Sequence, residues 1–79
     1  MFQSGFPAKL RRFRRAKFLS QAELARLAGV HKLTIQRLEA GKTAPYARTI
    51  RQLAVALGVS PEQLASPDDV AEAQRRHPR

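Results

Sequence analysis

A chain of 79 residues with 15 Lys and Arg against 6 Asp and Glu carries a formal net charge of +9 and contains no cysteine. That length supports one small domain with a single core, and without cysteine neither a disulfide nor a thiolate metal site can staple it. No apolar run approaches the roughly 18 residues of a membrane span, and the first seven residues lack the charged start and apolar stretch of a secretory signal, so a cytoplasmic protein is expected.

The apolar periodicity predicts an all-helical chain. A first helix is expected over residues 7–17, with Pro7 tolerated in its first turn and with Phe6, Leu10 and Phe13 facing inward. Ser20 and Glu23 stand three apart ahead of an apolar run. This is the spacing of a capping box, in which each side chain satisfies a backbone donor at the other's position. It opens a second helix over 21–27, where Leu24 and Ala28 share a face and the small Ala25 leaves room for a helix crossing close by. Gly29 suits the turn that follows, since a residue without Cβ takes positive φ freely.

Beyond the turn, Val30, Ile35 and Leu38 supply a buried side. That leaves Lys32, Leu33, Gln36 and Arg37 facing outward on a third helix, 32–40, which Gly41 stops. Residues 42–46, with Pro45, form a loop. Ile50, Leu53, Ala54 and Leu57 then repeat at helical spacing in a fourth helix, 47–57, ended by Gly58. Ser60, Pro61 and Gln63 write an N-cap, a first-turn proline and a capping-box partner for a fifth helix of one or two turns, with Leu64 pointing in. From Ser66 onward only Val70 offers a substantial apolar side chain. Residues 66–79 therefore read as a weakly helical or disordered tail, although Ser66, Pro67, Asp68 and Asp69 are a favourable helix start.

Two short helices joined at Gly29 are the pattern of a helix-turn-helix, and an outward face of Lys32, Leu33, Gln36 and Arg37 has the size and charge for the major groove of DNA. The charge is lopsided in the same sense. Residues 7–42 hold ten basic and two acidic side chains, a net of +8, whereas residues 43–79 hold five and four, a net of +1. A polyanion is expected to meet the first half. An enzyme is the poorest fit, with two widely separated histidines (His31 and His77), no carboxylate pair in an active-site context and no glycine-rich phosphate loop. No cofactor or metal is implied. Five aromatic side chains leave little for RNA base stacking, and Gly29, Gly41, Pro45 and Gly58 cut the chain too short for a membrane-active helix.

In order and spacing, a set of residues resembles the Cro and phage-repressor (XRE-like) type of helix-turn-helix domain. They are Leu10 and Arg14; Leu19-Ser20-Gln21; Glu23-Leu24-Ala25; Gly29-Val30; Thr34-Ile35; Arg37-Leu38-Glu39; Gly41-Lys42; Pro45; and Leu53-Ala54 through Leu57-Gly58-Val59. The resemblance implies a compact five-helix lambda-repressor-like domain over residues 7–65, which binds operator DNA as a homodimer and represses or otherwise regulates transcription. Members of the family also act as antitoxins, so a toxin protein is the alternative partner. Contacts between subunits, or with a toxin, are expected at the fifth helix around Leu64 and along the tail.

The resemblance also implies residue roles. Lys32, Leu33 and Arg37 fall where family members touch base edges. Arg37 suits guanine O6 and N7, and Leu33 suits a thymine methyl. Gln21 matches the glutamine that bonds a phosphate and braces the recognition helix. His31 is a cap or phosphate donor, and Thr34 and Gln36 make phosphate or flanking contacts. Lys42 and Arg48 flank a loop that lies along the DNA backbone. Arg14 and Glu39 form a largely buried ion pair joining the first and third helices. Of Lys9, Arg11, Arg12, Arg15 and Lys17, which ring the first helix, about half are expected to be solvated, since one helix cannot aim them all at one surface. Two positions depart from the family pattern. Phe18 stands where glycine is frequent and the chain turns left-handed, so either the corner differs in shape or packing holds Phe18. Ala40 replaces a frequent asparagine, which weakens the cap.

Overall fold

Five helices follow one another in the computed structural model, which describes residues 5–66 and residue 69. They are α1 (Phe6–Ala16), α2 (Gln21–Ala28), α3 (Lys32–Glu39), α4 (Ala47–Leu57) and α5 (Pro61–Leu64). Each of the first four lies within one residue of its expected span. The starts of α2 and α5 follow from local chemistry. Ser20 N–H donates to Glu23 Oε1 at 2.8 Å while Ser20 Oγ accepts from Glu23 N–H at 3.0 Å, and Ser60 and Gln63 repeat the exchange at 2.9 and 3.3 Å. Each exchange satisfies two of the backbone donors that a helix start leaves without partners.

The first four helices end alike. Leu19, Val30, Lys42 and Val59 each donate an N–H back to the carbonyl five residues earlier, at 3.0 to 3.2 Å, around a residue with positive φ. This is a Schellman termination, which consumes otherwise orphaned carbonyls and turns the chain sharply. Glycine supplies the positive φ after α2, α3 and α4; after α1 it is Phe18, at φ 57. Neither reading for that corner holds: the chain keeps the left-handed turn at Phe18, and packing does not hold the ring, which is 93% exposed.

The helices pack as a shell around one core, with α2 against α3 and α4, α1 against α3 and α5, and α4 against α5. Phe6, Leu10, Leu24, Ile35, Leu53, Leu57 and Leu64 are fully buried at its centre. Ala25 and Ala28 are buried beside them, which lets α2 approach its two neighbours closely. Phe13, expected to face inward, and Val30, expected on the buried side, are only partly covered and lie against the core's edge. Leu64 points in, as expected, and closes the monomer's own core at 0% exposure; the positions that α5 leaves exposed beside it are Glu62 and Gln63. The expected tail, 66–79, lies outside the described residues except at Ser66 and Asp69. There Ser66 N–H donates to Asp69 Oδ2 at 2.9 Å and Asp69 N–H donates to Ser66 Oγ at 3.2 Å.

Candidate nucleic-acid interface

The third helix divides cleanly between core and solvent. Ile35 and Leu38 are buried, whereas Lys32, Leu33, Gln36, Arg37 and the following Ala40 are exposed. Those outward positions are spaced one, three and four apart, so they form one stripe along the helix. Leu33 is 52% exposed, an apolar side chain left among polar and cationic ones. The single acid of α3, Glu39, points the other way and is 6% exposed. No carboxylate therefore disturbs the cationic stripe.

Glu39 is the junction of three elements. Arg14 Nε donates to its Oε2 at 2.6 Å and Arg14 Nη2 to its Oε1 at 2.9 Å, a forked pair between α1 and α3. Gln21 Nε2, from the first turn of α2, donates to the same Oε1 at 3.2 Å. Arg14 Nη1 also donates to the Leu19 carbonyl at 2.9 Å, which ties the α1–α2 corner into the network. The side chains of Arg14 and Glu39 are 11% and 4% exposed. Hydrogen bonding to the Glu39 carboxylate holds the Arg14 guanidinium above its ordinary value, against the opposing effect of burial. Since a forked guanidinium–carboxylate pair is geometrically exacting, it fixes where the end of α3 lies relative to α1 and α2.

The remaining named residues ring this helix. Gln21 is half-buried, with its amide on Glu39. His31 is exposed at the N-cap position of α3, but its side chain makes no capping bond; only its carbonyl engages, accepting from Thr34 N–H at 3.0 Å and Ile35 N–H at 3.3 Å. Its reading as a side-chain cap is therefore corrected. Thr34 is half-buried. Lys42 is exposed beyond the Schellman end of α3, in a loop pinned inward by buried Ala44 and Pro45, and Arg48 is exposed in the first turn of α4. Sequence reasoning missed how the α1 cations sort. Arg11 and Arg15, with Arg14, line an open cleft of about 240 Å³ shared with Gln21, Gln36, Glu39 and Ala40. The signal was present: Arg11 and Arg15 are three before and one after Arg14, whose pairing with Glu39 sets the phase of the helix. Among the described residues, no group of three or more His, Cys, Asp or Glu side chains could hold a metal ion. None of their helices is long and apolar enough to cross a membrane.

Fold and surface together define a helix-turn-helix domain of the lambda-repressor-like architecture. A family model described as "Helix-turn-helix domain" matches residues 6–67, and the chain belongs to that family. It is similar to an uncharacterized HTH-type transcriptional regulator of Sinorhizobium fredii, at 40% identity over 58 residues that cover 73% of this chain and 75% of the relative. Among solved structures it resembles the restriction-modification controller protein C.AhdI from Aeromonas hydrophila. That match has a TM-score of 0.74 at 37% identity and covers 76% of this chain and 91% of the controller. An HTH_3 family transcriptional regulator from Vibrio cholerae matches with a TM-score of 0.76 at 29% identity, over 87% of this chain but 39% of its own.

Proposed function

We propose that the protein is a sequence-specific, double-stranded-DNA-binding transcriptional regulator, acting as a repressor in the cytoplasm, with α3 seated in the major groove. The observation that carries this reading is the stripe Lys32, Leu33, Gln36 and Arg37, exposed along a helix whose only acid is turned inward and paired. Arg37 reads a guanine through its forked donors, Lys32 reads a second guanine, and Leu33 packs on a thymine methyl. Gln21, His31, Thr34, Gln36, Lys42 and Arg48 contact phosphates or flanking positions and set register rather than sequence. Similarity to a restriction-modification controller and to two transcriptional regulators supports a regulatory role.

The active form is a homodimer. One module of this size buries only about 600–1,000 Å² on DNA, and two modules related by a twofold axis read two half-sites one duplex turn apart, ~34–36 Å. Selection of bound sequences from a random duplex pool tests specificity and spacing together. The expected result is an enriched motif with two related half-sites about 10 base pairs apart; recovery of no enriched sequence overturns the reading. A toxin protein as partner is tested by pull-down with the neighbouring gene's product. No feature of the described residues favours it over duplex DNA.

A further inference from the structure

We propose that the cleft between α1 and the α2–α3 unit seats one backbone phosphate of the duplex that α3 reads, held by Arg11 and Arg15. This assignment rests on the DNA-binding reading and adds α1 to the contact surface.

The cleft is open to solvent and about 240 Å³ in volume, several times the roughly 30 Å³ share of a liquid water molecule, so a phosphodiester group fits. Its one acid is Glu39, and both of that carboxylate's oxygens are already engaged, by Arg14 and Gln21. Arg14 is likewise committed, to Glu39 and the Leu19 carbonyl. Arg11 and Arg15 remain. They sit four apart on one helix face and line the cleft, and their side chains take part in no ion pair or hydrogen bond among the described residues. Like charges at that spacing destabilise a helix slightly, and an anion between them removes the repulsion. The planar guanidinium fork matches phosphate geometry. Gln36, on the cleft's far wall, belongs to the outward stripe of α3. The cleft therefore opens beside the reading face, where a strand bordering the occupied groove would run.

The test compares the salt dependence of binding to a short random-sequence duplex, between about 50 and 200 mM salt, for the wild type, Arg11→Gln, Arg15→Gln, the double variant and Arg12→Gln. Arg12 is exposed on the same helix, with its guanidinium 5.7 Å from the Phe13 ring centroid, and does not line the cleft. Its replacement removes the same charge from another side. Circular dichroism verifies that all variants keep the wild-type helix content. The expected result is a slope of log K against log salt that is shallower by about 0.9 in the double variant, the worth of one duplex phosphate contact, with Arg12→Gln unchanged. An unchanged slope in the double variant, or an equal loss in Arg12→Gln, overturns the seat in favour of diffuse attraction. Tight binding of inorganic phosphate alone, lost in the double variant, would make the cleft a free-anion site and also overturn it. A wild type that binds no duplex at all removes the DNA reading itself, an outcome distinct from a wild type that binds while the double variant matches it.

Discussion

Phe18 holds φ at 57 with its ring 93% exposed. A side chain in that region meets the following carbonyl oxygen at a cost of about 1–2 kcal/mol, and no packing offsets it. Phe18→Gly relieves the clash and returns part of the gain as unfolded-chain entropy. The expected net effect is a stabilisation of about 0.5–1 kcal/mol, read as a higher urea midpoint at unchanged m; a lower midpoint would show that the ring has a structural use. Gly29 is the reverse case. A Cβ there would meet nothing within 4 Å, so only its φ of +74 resists substitution. Gly29→Ala should lose about 1 kcal/mol and Gly29→Asn less, because asparagine visits the left-handed region more readily. At Glu23, hydrogen bonding to the carboxylate from the Ser20 backbone N–H first, and then from the Ser20 side chain, holds the carboxyl below its ordinary value. Its stabilising effect is therefore full above the unfolded pKa of about 4.3 and is lost as pH falls through the lower folded value. Glu23→Gln should shrink the drop in urea midpoint between neutral and acidic pH; an undiminished drop would remove the assignment. Both capping boxes were legible in sequence because all their partners lie within four residues. That Phe18 turns left-handed was implied only by resemblance, and its exposure could not be read, because it depends on which elements surround the corner.

At the scale of elements, the Glu39 carboxylate joins three helices, and the cost of cutting it differs from the worth of keeping it. Arg14→Met or Glu39→Leu alone strands one charge and should lose roughly 3 kcal/mol, the lower end for a buried pair, since Arg14 keeps some exposure. The double variant Arg14→Met with Glu39→Leu should lose much less than the sum, because no charge is left unpaired. Denaturation of all four proteins closes the cycle; simple additivity would deny the coupling. The reading helix carries its own prediction. Arg37→Ala should cost ~1–3 kcal/mol on the selected site and relax one base preference, whereas Lys42→Ala should weaken all sequences alike. Equal losses of Arg37→Ala on selected and random duplexes would remove its base-reading role. The outward stripe of α3 was legible from periodicity. The Gln21 bond to Glu39 and the Arg14 bond to the Leu19 carbonyl depend on how the helices cross, so neither is encoded in local spacing.

For the whole molecule, the order of helices and the core were legible because capping boxes start α2 and α5, glycines stop α2, α3 and α4, and apolar residues repeat at helical spacing along the first four. The cleft was not, since it exists only where Arg11 and Gln36, far apart in the chain, face each other after packing. The charge distribution makes a prediction at this scale. The excess of +8 over residues 7–42 against +1 over 43–79 means that binding should weaken steeply as salt rises. Neutralising Arg51, a basic residue of the described second half outside the proposed interface, should change that slope less than neutralising Lys42. The salt series on a random duplex checks it, and the opposite order would place the polyanion on the other side of the domain.

The reading helix has eight residues, about 12 Å at 1.5 Å per residue, too short to persist alone in water. Its shape is lent to it by Glu39 at one end, the Gly29 corner at the other and the side chains of Ile35 and Leu38 beneath. Excised as a peptide, this segment should be a coil that recognises nothing. Whatever selectivity the protein has belongs to the scaffold that keeps α3 wound.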